Sequence, residues 1–449
     1  MNFVKTRIGD VADFVGGSQP PKSSFLDFEK EGYVRLIQIR DYKTDVFKTF
    51  IPSDSTRKFC TEKDVMIGRY GPPIFQILRG IEGAYNVALM KAIPKDNIRN
   101  DYLYYFLKQN TLFKYIDALS PRTGGQTGVD VPMLCDYPIL LPELEYQDLV
   151  ANLLTNIDSK IDLNNRINAE LEGMAKLIYD YWFVQFDFPF DFAQGKPADD
   201  SSNPKDVKPY KSSGGKMVWN EELKREIPEG WDYGKFEDIL DKIESGDRPK
   251  GGIDHDLKNG VPSIGAENIL GIGTYKYGQE KFVPREYYVK MTSGKIVSGD
   301  VLMYKDGASL GRVSMFKNGF PYEECCINSH AFILRSNDRI NQNYLYFHLD
   351  QDHIKEIIRR LGMRAAQPGI NQVNVKSLPI LIPSKKVNES FDLTIGSSVD
   401  KIFHNSKENQ KLAELRDWLL PMLMNGQVRV KGAYEQGKEE LGMVAEPRN

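Results

Sequence analysis

Between residues 147 and 182, side chains of one kind recur at alternating steps of three and four. They are Val150, Leu154, Ile157, Ile161, Leu171, Ala175, Ile178 and Trp182, with Asn164 and Asn168 in the two middle places. This is the 3.5-residue period of a coiled-coil seam. A second run keeps the same spacing through Phe391, Ile395, Ser398, Ile402, Asn405, Asn409, Leu412, Arg416, Leu419 and Leu423, less purely because Ser398 and Arg416 intrude. Two separate amphipathic helices, each lying on its own domain, would also fit the period. The asparagines favour a pair, since a seam Asn costs stability and is tolerated where it meets another Asn and fixes register. An antiparallel alignment of Asn164 with Asn409 and Asn168 with Asn405 sets Leu171 against Ile402, Ile161 against Leu412 and Leu154 against Leu419. Val150 then meets Leu423, Ile178 meets Ile395 and Trp182 meets Phe391. Only Ile157 opposite Arg416 and Ala175 opposite Ser398 match poorly. A parallel register also joins the asparagines, but each helix follows its own globular segment, and a duplicated chain closes naturally head to tail.

The duplication is visible outside the helices. Gly17-Ser18-Gln19-Pro20 returns as Gly246-Asp247-Arg248-Pro249, Asp64-Val65-Met66 as Asp300-Val301-Leu302, and Asp101-Tyr102-Leu103-Tyr104-Tyr105 as Asn343-Tyr344-Leu345-Tyr346-Phe347. Gln126-Thr127-Gly128-Val129-Asp130 and Pro138-Ile139-Leu140-Leu141-Pro142 return as Gln367-Pro368-Gly369-Ile370-Asn371 and Pro379-Ile380-Leu381-Ile382-Pro383. So long a repeat is a duplicated domain, not a solenoid unit. Within each copy, short apolar, β-branched segments bounded by Gly, Pro, Asn and Asp predict strands: 34–40, 63–70, 86–93, 296–304 and 312–317. Helical spacing predicts helices over 101–119 and 343–361.

The expected organisation is a first α+β domain over 1–146, a helix over 147–186 and a linker over 187–220, partly ordered by its aromatics. A second α+β domain covers 221–386, a second helix 387–426 and a polar tail 427–449. Two similar lobes at the ends of an antiparallel pair of helices about 54 Å long suit a target with two contact points about one DNA turn, roughly 34–36 Å, or slightly more apart. The copies differ (Gln19 against Arg248, Tyr70 against Asp306), so the implied target is two unlike half-sites with a fixed spacer.

Composition narrows the chemistry. In 449 residues the net charge is −3, so a nucleic-acid site has to be a local patch on a nearly neutral body. Four cysteines (Cys60, Cys135, Cys325, Cys326) make no disulfide scaffold, and no C-x-x-C suggests structural zinc. The start of the chain lacks the apolar core of a signal peptide, and no apolar run nears the roughly 18 residues of a membrane span; a cytoplasmic location and no membrane partner are expected. Gly71-Pro72-Pro73-Ile74 only faintly matches an amino-methyltransferase motif: Gly71 replaces the amide or carboxylate and Ile74 the stacking aromatic. Glu222-Leu223-Lys224 with Asp199 or Asp200 has the residue types of a Mg²⁺ nuclease, yet is placed in the linker with no strands to hold it rigid. The five histidines form no ligand-spaced set.

At this point the sequence resembles the specificity subunit of type I restriction–modification systems, over essentially its whole length. The residues that carry the resemblance are Leu141-Pro142-Glu143-Leu144-Glu145-Tyr146-Gln147 before the first helix and Tyr181-Trp182-Phe183-Val184-Gln185-Phe186 at its end. To these are added Ser212 to Asn220 running into Ile227-Pro228-Glu229-Gly230-Trp231. The second copy departs from the pattern at Ile382-Pro383-Ser384-Lys385-Lys386. The resemblance implies two pseudo-twofold-related α+β target recognition domains separated by an antiparallel two-helix coiled coil. Each domain would read one half of an asymmetric bipartite site in double-stranded DNA, with the coiled coil setting the spacer. It implies docking of two DNA adenine methyltransferase subunits, joined by restriction subunits, and no catalytic site, metal or cofactor in the chain itself. A coiled-coil adaptor that holds protein partners without reading sequence is the rival; the near-neutral charge suits it, the paired polar loops do not.

Bases are read by groups that reach their edges, while Lys and Arg on phosphates fix position. Loops that are polar or basic in both copies are therefore the expected contacts. Gln19 and Lys22 pair with Arg248 and Lys250, Arg40 with Asn268, Arg69 and Tyr70 with Lys305 and Asp306, followed by Ser309, and Arg122, Thr123 and Gln126 with Arg364, Gln367 and Asn371. Arg suits G, and Gln or Asn suits A, through bidentate hydrogen bonds. Asp306 or Glu267 suits a cytosine amine or a neighbouring Arg.

Overall fold

The computed structural model describes residues 3–71, 73–119, 128–190, 208–247, 249, 257, 259–363 and 369–430. The chain forms two compact units, one of residues 1–159 with 412–449, the other of 160–411, so each long helix gives one stretch to each unit.

In the first unit the short apolar segments build two four-stranded sheets. One runs in the order Ala12–Gly16, Leu89–Pro94, Val65–Gly68, Ile77–Leu78, antiparallel throughout. The other runs Phe50–Pro52, Tyr33–Ile37, Gly83–Tyr85, Phe59–Cys60, with Leu36 and Ile37 parallel to Ala84 and Tyr85. The strand expected over 34–40 stops at Ile37 because the Asp41 carboxylate accepts from Gln38 N at 2.7 Å and closes the 3₁₀ turn Ile39–Tyr42. The helix expected over 101–119 is two, Asn100–Leu107 and Asn110–Leu119. Tyr102 to Leu107 are buried on every face, so one-sided periodicity does not describe them.

The second unit repeats this order. Its four-stranded sheet runs Leu240–Ser245, Ala331–Ser336, Asp300–Tyr304, Val313–Phe316. A smaller sheet sets Val261–Ile264 between antiparallel Lys281–Val283 and parallel Cys326–Ile327. Helices Gln342–Leu349 and Asp352–Gly362 replace the single helix expected over 343–361. The repeated Pro-Ile-Leu motif is a strand in both copies: Pro138–Leu141 pairs with Val4–Arg7, and Pro379–Ile382 with Asp232–Lys235.

Part of the segment read as a linker is built structure. Met217–Asn220 and Arg225–Pro228 form a hairpin, and Glu222-Leu223-Lys224 lies in its turn, where Asn220 Oδ1 accepts from the backbone N of Glu222 and Leu223. Phe188 stacks on Tyr210 (4.6 Å between centroids) and on Trp231 (5.3 Å), buried in the second unit's core. Burying each such ring contributes about 1.5–3 kcal/mol.

The first long helix spans Leu144–Tyr179 and continues through a π turn, Asp180–Val184; the second spans Lys385–Met424. Gln147 explains part of the motif before the first helix. Its buried side chain accepts from Arg99 N at 2.8 Å and donates to Asn97 O and Pro142 O, tying the helix start to two loops. In the second copy the buried Asn388 takes this place, accepting from Asn341 Nδ2 at 3.0 Å. The helix start is thus tied to the neighbouring loop by a shorter amide, through Asn341 instead of through backbone groups.

Candidate nucleic-acid interface

In each unit the same backbone construction closes one edge of the sheets. In the first, Asn86 follows the strand Gly83–Tyr85; its N donates to Ile37 O at 3.1 Å and its Oδ1 accepts from Ala88 N. In the second, Asn328 follows Cys326–Ile327; its N donates to Ile264 O at 3.0 Å and its Oδ1 accepts from His330 N at 2.8 Å. Against each turn lies the glycine of the repeated Gly-x-x-Pro motif. A Cβ on Gly17 would sit 2.1 Å from Asn86 O, and one on Gly246 1.9 Å from Ile327 O, so only glycine lets the backbones meet. Beyond the central strand, Arg69 N donates to Ala88 O and Val129 N to Arg69 O, while Lys305 N donates to His330 O and Ile370 N to Lys305 O. Tyr70 bridges Gly128, and Asp306 bridges Gly369. The frame is the same in both units; the side chains on its rim are not.

Several expected contact residues are at this edge. Gln19 is exposed beside Ser18, whose hydroxyl meets that of Thr56, and Lys22 is exposed on the 3₁₀ turn Lys22–Ser24. The Arg69 guanidinium lies 5.2 Å from the Tyr70 ring centroid, with its Nε buried and without a hydrogen-bond partner. Lys305 Nζ donates to Ser245 Oγ at 3.1 Å and lies 4.7 Å from the Phe332 centroid. Ser309 is half-buried on the 3₁₀ turn Gly307–Ser309. Arg40 is exposed on the loop after Ile37. Arg122, Thr123, Gln126, Arg248, Lys250, Arg364 and Gln367 lie outside the described residues.

One expectation is corrected. Asn268 is fully buried; its Oδ1 accepts from Gly265 N and its Nδ2 donates to Lys276 O, so it holds a turn and offers nothing to a base. Asn371 is exposed, but its Oδ1 accepts from Asn374 N at 2.9 Å, capping the helix Gln372–Lys376. Asp130 does the same for Val131–Asp136 through Met133 N, so this end of the repeated motif is a helix cap. Conversely, the sequence reading did not single out Asn86, Asn328 or His330. His330 Nδ1 lies 2.8 Å from Asp306 Oδ2 on the rim, so Asp306 meets a histidine there. The signal available was the repeat itself, which aligns Tyr85-Asn86-Val87-Ala88 with Ile327-Asn328-Ser329-His330.

The seam asparagines also meet. In the second unit Asn164 Nδ2 donates to Asn409 Oδ1 at 2.9 Å, and Asn405 Nδ2 donates to Asn168 Oδ1 at 2.9 Å. Asn164 also donates to Glu408, which Lys160 approaches at 3.4 Å; the Asn164 hydrogen bond first, and then Lys160, hold the Glu408 carboxyl below its ordinary pKa. In the first unit Arg416, expected to face Ile157 poorly, turns to Asp158 at 2.7 Å, which also accepts from Tyr105 OH. Burial opposes that charge, but the hydrogen bonds from Arg416 and Tyr105 outweigh it and keep the Asp158 carboxyl low. The residue buried near the other weak position is Val399 and not Ser398, because this helix also packs on the unit's core.

The model of the type I restriction modification DNA specificity domain matches residues 1–173 and 228–416, once for each copy. The chain belongs to this family. Among similar curated proteins are two specificity subunits from Methanocaldococcus jannaschii. The type I restriction enzyme MjaIX subunit is 25% identical over 77% of this chain and 73% of its own length. The MjaVIII subunit is 24% identical over 95% of this chain and 92% of its own. A solved specificity-subunit structure from M. genitalium shares the fold, with a TM-score of 0.55 at 14% identity over 94% of this chain and 96% of that one. Among the described residues of this specificity-family chain, no group of His, Cys, Asp and Glu is arranged to hold a metal ion, and no helix is long and apolar enough to cross a membrane. Burial pushes the Cys60 and Cys326 thiols up to about 11, the opposite of an activated nucleophile.

Proposed function

We propose that this chain is the DNA-reading subunit of a type I restriction–modification complex and itself carries no catalytic centre. The observation that supports this best is the duplicated edge: one frame built twice, with Gln19, Arg69, Tyr70 and Ala88 on one rim and Asp247, Lys305, Asp306 and His330 on the other. An adaptor needs no such pairing of constant frame and varied rim. Each rim reads one half-site by side-chain contacts to base edges, and the two half-sites differ because the rims differ. The paired helices, with the asparagines as register pins, set the spacer.

Partner docking falls to the helices. On the first long helix, Leu163, Ile167, Met174 and Leu177 form a second apolar stripe, interrupted by Glu170 and separate from the seam; Leu177 is 69% exposed and Met174 54%. A helix apolar on two faces belongs in a bundle of more than two helices, and a methyltransferase subunit is the partner assigned to it, with restriction subunits joining the assembly. The test is to express the chain with its methyltransferase subunits and map methylated adenines across the genome of a host otherwise lacking them. Methylation confined to one bipartite, asymmetric motif is expected. Inserting four residues into the coiled coil should lengthen the spacer and leave both halves unchanged. Methylation without a sequence motif, or an unchanged spacer, refutes the reading.

A further inference from the structure

The loop between Gln38 and Thr49 of the first unit ends in an apolar tip that the fold does not use. Val46 is 75% exposed and Phe47 59% exposed. The tip is nevertheless held in place. Asp41 caps the turn at the loop's base, Lys43 N and Thr44 N donate to Arg40 O, Val46 N donates to Thr44 Oγ1, and Arg35 pairs with Asp45 at 2.8 Å. Around Phe47 the charges are cationic: the Arg40 guanidinium lies 5.9 Å from its ring centroid, and Lys43 and Lys48 are exposed on the same loop. Asp45, the exposed acid of the loop, is taken up by Arg35, with Lys48 3.6 Å away. The loop also rises from the candidate DNA edge itself. It leaves the strand at Ile37, whose carbonyl binds Asn86 N, and Ile39 packs against Gly68 beside Arg69.

We propose that Phe47 is a wedge that enters the first half-site between base pairs, so that this half is recognised partly by how readily its DNA kinks. The proposal rests on the DNA-reading function given above. An ordered aromatic flanked by cations matches what unstacks a base step: the cations neutralise phosphates on either side while the ring replaces lost stacking. Order in the unbound loop lowers the cost of presenting it. The counterpart loop of the second unit has no such tip. Ile269 and Ile272 there are buried, and Ser406 Oγ on the second long helix donates to Gly273 O at 2.6 Å. The kink is therefore confined to one half-site, and flexible pyrimidine–purine steps are favoured there.

The test uses the full chain assembled with its methyltransferase subunits and duplexes carrying the motif from the methylation map, labelled at both ends for energy transfer. Wild type is expected to bend the duplex by about 20° or more. Phe47→Ala should remove most of that bend and weaken specific binding about tenfold, with the salt dependence unchanged because no phosphate contact is lost. Phe47→Leu, still a wedge, should keep most of the bend. Because Phe47 is exposed, neither variant leaves a core cavity, and equal melting temperatures verify this. An undistorted duplex with wild type, or an equal bend with Phe47→Ala, overturns the wedge while leaving sequence reading intact. Loss of methyltransferase co-purification in Phe47→Ala also overturns it, since the tip would then face protein. Absence of any methylation motif overturns the DNA reading together with the wedge.

Discussion

The Asn168–Asn405 contact makes a prediction with an asymmetry that simple hydrophobic accounting does not give. Asn405 is 0% exposed; its Nδ2 donates to Asn168 Oδ1, and its own Oδ1 is buried with no partner. Asn168 is only half-buried, and its Nδ2 donates to Ser406 Oγ at 3.2 Å. Asn405→Leu removes an unsatisfied carbonyl that costs about 1–3 kcal/mol and adds apolar burial, at the loss of one hydrogen bond worth about 1 kcal/mol. The net change is expected to lie between neutral and about 1 kcal/mol stabilising. Asn168→Leu instead strands both polar ends of a fully buried Asn405, so a loss of about 2–3 kcal/mol is expected. With both replaced, no stranded amide remains and the seam is apolar, so the double variant should be at least as stable as wild type. The coupling between the two changes is then about 2 kcal/mol or more. Urea denaturation of the four proteins, followed by the far-ultraviolet helical signal, measures it. Single-variant effects that add within about 0.5 kcal/mol, or that are equal in size, would show that the amides do not meet as described. A seam left with one of its two polar pins, Asn164 with Asn409, also holds one register less tightly. The stabilised double variant should therefore methylate sites with more than one spacer.

Two further outcomes follow from buried groups. His348 is buried, with Tyr179 OH at 3.0 Å from Nδ1 and Pro379 O at 3.2 Å from Nε2, and burial pushes its pKa down to about 4 from the ordinary 6.5. A depressed folded pKa gives a contribution fully present above pH 6.5 and lost as pH falls towards 4, by about 3 kcal/mol in all; denaturation at pH 7 and pH 4.5 should show this extra loss in wild type and not in His348→Gln. Gly17→Ala and Gly246→Ala each force a backbone to yield at the candidate edge, with an expected cost of about 1–3 kcal/mol and loss of one half-site in the methylation map; unchanged melting temperature and motif would refute the close approach.

What the sequence reveals divides along a physical line. The seam register was legible because a period of 3.5 and two asparagines in each helix leave few alignments, and burial in a seam makes every position matter. The Pro-Ile-Leu motifs were legible as a repeat but not as strands, since four residues carry no periodicity that separates a strand from a turn. The breaks at Lys108–Gln109 and Asp350–Gln351 were not, because helices buried on all sides carry no one-sided pattern. Nor was Asn268 distinguishable from a base-reading amide: the same side chain caps a helix, holds a turn or reads adenine, and only its neighbours decide. Phe188 and Tyr210 sat in a composition typical of linkers, and their burial depends on Trp231, which no local pattern connects to them.

That line also bears on how such a molecule can change its target. At each edge the groups that build the frame are backbone amides, one glycine and one asparagine. Side chains at Gln19, Arg69 and Tyr70, or at Lys305, Asp306 and His330, can then be exchanged with little cost to the fold, because the hydrogen bonds that close the edge are mostly main-chain. The helices work in the opposite way. Their register depends on particular side chains, Asn164 with Asn409 and Asn168 with Asn405, so a substitution there alters stability and spacing together. An edge built on backbone leaves its rim free to vary, while a register built on side chains does not.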